Sequence, residues 1–327
     1  MFLLDHTKLK KGDIILSRRD DPTSEIVRRM SNSEFSHARL YVGTHSCIDS
    51  DGLGVQSENI QRIPFDKVTD VMVLRYYRPL PEKVFDDVIN SARSKVGTEY
   101  SKSEARKSIN AKDFIAQEPN RQFCTRFVAQ AYFEAGYSVV GNPNYCTPND
   151  IVNSNVLIEV EKPLKIATEG DIEIALEEDS LTKWQKEITY TLMKKIRELT
   201  GADLQDFGQI GAYLIQNPQY DPAIVKVLHE SGYMTMWMTV RVESPHFYDY
   251  NLLVQQIPDP MERKIFALQQ GKDEPEIRKR FEASFETNKM YYNQFKLVFF
   301  KTLRDLNQTL INESKLREVV FLLASRE

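Results

Sequence analysis

Two residues with the chemistry of a nucleophile and a base begin two different predicted elements of this chain. His37 begins an alternating segment typical of a strand, and Cys124 begins a helical pattern. A thiol becomes a good nucleophile when it ionises, and a helix N-terminus with a nearby imidazolium lowers its pKa from about 8.5 to roughly 3.5–7.5. The N–H groups of the first turn can also hold the oxyanion formed at a carbonyl. The pattern therefore predicts Cys124 as nucleophile and His37 as its base.

An imidazole base needs an acceptor for its second nitrogen, and the segment after His37 offers two carboxylates. Residues 37–42 alternate, residues 43–45 are typical of a turn, and residues 46–50 fit a hairpin partner. The predicted cross-strand pairs are Val42–Ser46, Arg39–Asp49 and His37–Asp51. Because side chains alternate with a period of two, Asp49 and Asp51 share the His37 face, and either could orient the imidazole.

Further elements surround these residues in the first half of the chain. A buried strand is predicted over residues 14–17, a helix over 22–30, a strand over 71–76 and a helix over 81–96. Apolar residues at helical spacing give the cysteine helix one buried stripe, formed by Cys124, Val128, Ala131 and Ala135. Thr147 and Pro148 fit the N-cap and first position of a further short helix. These elements predict an α+β domain in which an antiparallel sheet, or an open barrel, packs on the cysteine helix.

The pattern changes near Pro163, where long charged helical segments replace strand-like alternation. We therefore expect a hydrolase domain over residues 1–162 and a mostly helical domain over residues 163–327. Helices are predicted over residues 180–199, 204–215, 222–229 and 275–311. Residues 233–242 alternate like a strand, and a buried helix fits them as well. Aromatic residues at helical spacing predict a core stripe on the last helix, formed by Tyr292, Phe295 and Phe299.

Composition narrows the classes of function. The chain has 43 basic and 47 acidic side chains, a net charge of −4 and no prominent basic patch, so nucleic acid is not an expected partner. An odd count of three cysteines without close spacing predicts no disulfide framework and a reducing compartment. No CxxC or HExxH spacing indicates a metal, and no cofactor is expected. With neither a secretory signal nor a membrane-spanning run in sight, we expect a cytoplasmic protein.

Other reactive side chains have simpler interpretations. His45 is expected in an exposed turn, and its closeness to His37 makes it the first alternative base. Cys47 shares the face of Asp49, but structural burial is the favoured interpretation. Cys146 is expected to be a loop or core thiol.

Several motifs together are similar to a known family. His37 follows Phe35 and Ser36, a Gly-Asp-Ile motif begins at Gly12, and Cys124 opens an aromatic-Cys-Thr helix. Residues 97–100 match a Gly-x-x-Tyr element, and Thr147-Pro148 resembles a Ser/Thr-Pro element. In this order they resemble the circularly permuted NlpC-type papain-like cysteine hydrolases, above all the YiiX/YebB-like group. The resemblance covers about residues 10–155.

The resemblance implies a catalytic Cys124, a His37 base and Asp49 as third member. The family commonly has Glu as its third residue, whereas this chain has Asp49 followed by Asp51, and we rank Asp49 above Asp51. It also implies that Tyr100 faces the cleft and binds substrate. The implied reaction is hydrolysis of an amide or peptide bond through an acyl-enzyme on Cys124. Alternatives are a lipid acylhydrolase or acyltransferase with the same residues, and a catalytically silent binding or scaffold module. Substrate identity, oligomeric state and the part that the helical domain plays in protein contacts stay open.

Overall fold

The computed structural model describes residues 1–108, 118–177 and 180–326. The chain forms two compact units. One comprises Met1–Thr182 with Gln205–Phe207, and the other comprises Lys183–Leu204 with Gly208–Glu327. A functional division after residue 162 stays a prediction.

The first unit is built on an antiparallel sheet of six strands in the order β5-β4-β3-β2-β6-β7. Its strands are β2 (Ile14–Ser17), β3 (His37–Gly43), β4 (Ser46–Asp51), β5 (Gly54–Asn59), β6 (Val71–Tyr76) and β7 (Leu157–Glu159). Strands β1 (Phe2–Leu4) and β8 (Leu164–Ile166) form a separate antiparallel pair. The strands predicted over residues 14–17, 37–42, 46–50 and 71–76 are confirmed, whereas β1, β5, β7 and β8 were not predicted.

Helices accompany the strands of this unit. They are α1 (Pro22–Ser31), α2 (Glu82–Ser94), α3 (Lys102–Lys107), α4 (Cys124–Glu134), α5 (Pro148–Val152) and α6 (Glu169–Leu176). Ala38 and Leu40 of β3 share one apolar core with Val128 of α4. Tyr41, which alternates with Leu40 along β3, belongs to a second apolar core. This alternation confirms the predicted α+β fold, in which an antiparallel sheet packs on the cysteine helix.

The hairpin between β3 and β4 differs from the predicted register at its turn. Gly43, not Val42, pairs with Ser46, and the register shifts between Tyr41 and Gly43. Gly43 has a φ of 92°, so the chain leaves β3 in a conformation that glycine adopts at little cost. Below the bulge Arg39 stands opposite Asp49, as predicted.

The remaining helices are α7 (Ser180–Thr200), α8 (Phe207–Gln216), α9 (Asp221–Glu230), α10 (Met236–Glu243), α11 (Tyr250–Gln256), α12 (Pro260–Phe295) and α13 (Val298–Ser325). They confirm a mostly helical C-terminal region. Residues 233–242 are helical, since a 3-10 turn over Tyr233–Thr235 leads into α10. In the part of the chain that the structure describes, no helix is long and apolar enough to cross a membrane.

The single long helix predicted over residues 275–311 is wrong. The structure has two helices that meet at Lys296, which has a left-handed φ of 59° and ends α12. Tyr292 and Phe295 therefore lie on α12 while Phe299 lies on α13, and the predicted single stripe does not exist. Pro275 lies inside α12 and does not begin a helix.

Candidate active site

Cys124 is the first residue of α4, and Phe123 is its extended N-cap. The Phe123 side chain makes no capping hydrogen bond to the first turn. The N-terminal N–H groups and the positive end of the helix dipole therefore act on the Cys124 side chain. The Cys124 residue is 8% exposed, so its sulfur sits at the edge of the core and not in open solvent. The predicted position of this residue at a helix start is confirmed.

His37, the first residue of β3, contacts Asp49 of β4. Its Nε2 atom lies 2.6 Å from Asp49 Oδ2. The Asp49 side chain is 1% exposed and that of His37 is 21% exposed. Because an imidazole has two ring nitrogens, this bond leaves Nδ1 for the hydrogen bond between His37 and Cys124. The structure therefore brings the three predicted residues into one hydrogen-bonded chain.

The electrostatics of this chain favour a charged pair. Burial and the charge of Arg39 both lower the pKa of His37, but hydrogen bonds with Asp49 and Cys124 outweigh them and raise it to about 9. Burial raises the pKa of the Cys124 thiol, but the hydrogen bond and charge of His37 and the Ala38 amide lower it below its usual value. An imidazolium beside a thiolate is the charge state that these opposite shifts support.

Asp51 has different partners. Its Oδ1 atom accepts hydrogen bonds from the Leu53 amide at 2.8 Å and from Gln56 Nε2 at 2.7 Å. Both partners belong to the turn into β5 and to β5 itself, so Asp51 ties this hairpin together. The carboxylate that accepts the hydrogen bond from His37 is that of Asp49.

Tyr100 lies beside the start of α4. Its backbone forms a parallel bridge with Gln122, two residues before Cys124. Burial raises the pKa of the half-buried Tyr100 phenol well above its usual value, and the nearby charges of Cys124 and Asp51 add to this. The phenol is therefore protonated over the whole physiological range and can donate a hydrogen bond near the sulfur.

The loop that carries Tyr100 is held against β5. The Val55 amide donates to the Thr98 carbonyl at 2.8 Å, and the Gly97 amide donates to the Val55 carbonyl at 2.9 Å. Gly54 permits this close approach. Its φ is 114°, and a Cβ at this position would lie 2.3 Å from the Thr98 carbonyl oxygen.

The other candidate side chains lie outside this chain of hydrogen bonds. Cys47 is fully buried in the second core, and Cys146 is 1% exposed, which agrees with the structural roles predicted for them. Burial raises the pKa of the Cys146 thiol to about 12. His45 lies in the turn with a left-handed φ of 57°, and its ring centroid is 4.2 Å from that of His6.

Two buried arginines near the site were not predicted to have a role. Arg39 is 2% exposed and contacts Asp49, and Arg126 of α4 is fully buried against Glu104. A signal for both existed in the sequence. Each is a charged residue among apolar residues of a buried element, and such a charge requires a partner. In the described ranges 1–108, 118–177 and 180–326, no group of three His, Cys, Asp or Glu side chains is arranged to hold a metal ion.

A family model described as "permuted papain-like amidase enzyme, YaeF/YiiX, C92 family" matches residues 8–160. This part of the chain is similar to that family. The predicted YiiX-like group is thus confirmed, although the matching description does not contain the name NlpC. The permuted papain-like amidases are enzymes of the cysteine hydrolase type. The match to this family therefore confirms the prediction of an enzyme.

A search of solved structures gives a match to the crystal structure of metalloprotein yiiX from Escherichia coli O157:H7. The sequence identity is 17% and the TM-score is 0.37. The match covers 50% of this chain and 98% of the other chain. A search of curated proteins finds no match.

Proposed function

We propose that the first unit hydrolyses an amide or peptide bond through a covalent acyl-enzyme on Cys124. His37 is the general base and acid, and Asp49 is the acceptor that orients it. The observation that carries this proposal is the hydrogen-bonded chain from Cys124 through His37 to Asp49, with a separation of 2.6 Å between His37 Nε2 and Asp49 Oδ2. The match to an amidase family supports an amide as the substrate bond.

In the first step the Cys124 thiolate attacks the substrate carbonyl carbon, and the carbonyl π electrons move to oxygen. The oxyanion is stabilised by N–H groups at the start of α4. The C–N bond then breaks, and the His37 imidazolium gives its proton from Nδ1 to the leaving amine. A thioester on Cys124 and a neutral imidazole remain.

In the second step His37 takes a proton from water while the water oxygen attacks the thioester carbonyl. The C–S bond breaks as the second oxyanion collapses, which releases a carboxylic acid and restores the thiolate. Asp49 keeps the imidazole in one tautomer throughout, because Nε2–H donates to its carboxylate. In this scheme Tyr100 binds substrate, since its protonated phenol can donate to a substrate carbonyl beside the sulfur.

The charge state of the site can be tested without a substrate. Alkylation of each cysteine by iodoacetamide at pH 6 is followed by mass spectrometry in wild type and in His37→Ala. We expect Cys124 to react at least tenfold faster than Cys47 and Cys146, and this advantage to disappear in His37→Ala. Partial unfolding would expose all three thiols together, so the two buried cysteines are internal controls. Equal rates for the three thiols in folded wild type would rule out an activated Cys124.

The bond that the thiolate attacks can be identified by trapping the acyl-enzyme. Wild type and Cys124→Ser are incubated with a cell lysate and quenched with acid, and the peptide that contains residue 124 is weighed. A peptidyl or aminoacyl adduct on the wild type would support the proposed amidase. A fatty-acyl adduct would favour the lipid acylhydrolase or acyltransferase alternative.

A further inference from the structure

Arg39 is a cation buried next to the acid of the candidate site. It lies two residues after His37 on the same face of β3, directly opposite Asp49. Its Nε atom is 3.3 Å from Asp49 Oδ2, the oxygen that also bonds His37. One carboxylate oxygen therefore faces two nitrogen donors, and its negative charge is shared between His37 and Arg39.

The guanidinium is fixed by strands on both sides. Arg39 Nη1 donates to Ser17 Oγ of β2 at 2.7 Å, and Nε lies 3.2 Å from Glu58 Oε2 of β5. The Arg39 side chain is 2% exposed and that of Glu58 is 22% exposed. A planar guanidinium held from several sides has little freedom to turn, so it fixes the carboxylate that it contacts.

We infer that Arg39 is a positioning residue for the proposed reaction: it holds the Asp49 carboxylate ionised and in place, and its charge assists formation of the Cys124 thiolate. This inference rests on the proposed function. A buried carboxylate is costly unless it is paired, and His37 supplies a pairing charge only when it is protonated. Arg39 is charged at every accessible pH, so Asp49 keeps a partner when His37 gives its proton away.

The charges around the site decide whether a substitution raises or lowers the pKa of Cys124. His37 faces Arg39 of its own strand, Asp49 of β4 and Cys124 of α4. Arg39 additionally faces Glu58 and Cys47, and Tyr100 faces Cys124 and Asp51. Removal of one positive charge raises the pKa of every neighbouring acid, and removal of one negative charge lowers it.

The test measures the rate of Cys124 alkylation by iodoacetamide between pH 4 and pH 10, together with the melting temperature of each variant. In Arg39→Met the acid limb of the rate profile is expected to move up by about one pH unit. In Glu58→Gln it is expected to move down, because the negative charge beside Arg39 is gone. Arg39→Lys keeps a charge and is expected to lie closer to wild type than Arg39→Met does.

If Arg39 had a purely structural role, Arg39→Met would lower the melting temperature without moving the acid limb of the rate profile. The inference is overturned if folded Arg39→Met retains the wild-type limb. If Arg39→Met does not fold, Glu58→Gln decides, and an unmoved limb there overturns the inference. A wild-type limb near pH 8.5, the ordinary value for cysteine, would instead contradict the proposed function itself.

Discussion

His37 Nε2 and Asp49 Oδ2 are 2.6 Å apart although the two residues are not cross-strand partners. Arg39 occupies the position opposite Asp49, so the contact is diagonal across the hairpin. Diagonal neighbours on one face lie roughly 7–8 Å apart at Cα, a span that an imidazole and a carboxylate can bridge. Because of this diagonal arrangement, both His37 and Arg39 of β3 contact the single carboxylate of Asp49 on β4.

The first prediction concerns Asp49→Asn. Loss of the carboxylate removes the negative charge of Asp49 and leaves the hydrogen bond with Cys124 to support the imidazolium, while burial and Arg39 still oppose it. The pKa of His37 should therefore fall from about 9 toward its usual value of 6.5. Proton NMR titration of the imidazole, assigned by comparison with His37→Gln, measures this shift.

Asp51→Asn is the matched control for that experiment. It removes the same charge from the same strand but from a side chain that contacts Leu53 and Gln56. We expect the His37 titration to move by less than about half a pH unit. A larger shift in Asp51→Asn than in Asp49→Asn would assign the orienting role to Asp51.

The second prediction concerns Gly54, whose backbone meets the loop that carries Tyr100. Gly54→Ala places a Cβ 2.3 Å from the Thr98 carbonyl oxygen at a left-handed φ. The loop must move, and we expect a loss of more than about 2 kcal/mol in the free energy of unfolding. Urea unfolding measures the loss.

Gly52→Ala is a control two residues away in the same turn. No atom lies within 4 Å of a Cβ at this position. Its effect on the free energy of unfolding should stay within about 0.5 kcal/mol. Equal losses for the two variants would show that the contact with Thr98 does not constrain the loop.

Much of the site could be predicted because each signal was local. An alternating strand after His37, a helical stripe after Cys124 and a Thr-Pro start at Thr147 were each contained in a short segment. The period of two correctly kept Asp49 on the His37 face even though the turn contains a bulge at Val42. Side chains stay on their predicted faces of the sheet when the strands beyond such an irregularity keep their pairing.

The parts that could not be predicted depend on distant contacts. The choice between Asp49 and Asp51 depends on β5, because Gln56 of that strand binds the Asp51 carboxylate. The break between α12 and α13 lies at Lys296, whose φ is left-handed although neither glycine nor proline marks this position in the sequence. Short strands such as β7 exist because a neighbouring strand edge pairs with them.

The third prediction concerns the buried pair of Arg126 and Glu104. Arg126 Nη2 donates to Glu104 Oε2 at 2.7 Å, and neither side chain is exposed. Arg126→Met leaves the carboxylate with Tyr145 and Lys107 alone, so we expect a loss of about 3–5 kcal/mol in the free energy of unfolding. Lys107, which is 30% exposed, provides the control Lys107→Met, with an expected loss below about 1 kcal/mol.

The pH dependence of that loss has a definite sign. Burial raises the pKa of Glu104, but hydrogen bonds from Tyr145, Arg126 and Lys107 outweigh it and lower the pKa from 4.5 to about 2. A lowered pKa contributes stability that is present above pH 4.5 and is lost as the pH falls toward 2. The difference between wild type and Arg126→Met should therefore shrink over this range. A constant difference would mean that Arg126 stabilises the fold by packing and not by charge.

The fourth prediction concerns the second unit, where Asp221 caps a helix distant in sequence. Its Oδ2 atom accepts from the Val298 amide at 2.6 Å, and Oδ1 accepts from the Phe299 amide at 2.8 Å. These are first-turn amides of α13, whose own N-cap residue Leu297 offers no side-chain acceptor. Asp221→Ala leaves two amides without this acceptor, and we expect a loss of about 2 kcal/mol in the free energy of unfolding.

Asp221→Asn separates the cap from the charge. The amide oxygen keeps one acceptor but lacks the charge that favours the helix N-terminus, so an intermediate loss is expected. Asp305→Ala, at a 53% exposed side chain within α13, controls for removal of a carboxylate from the same region and should cost less than about 0.5 kcal/mol. Helical circular dichroism followed through urea unfolding compares the three variants. Equal stability of Asp221→Ala and Asp305→Ala would show that the long-range cap does not hold α13.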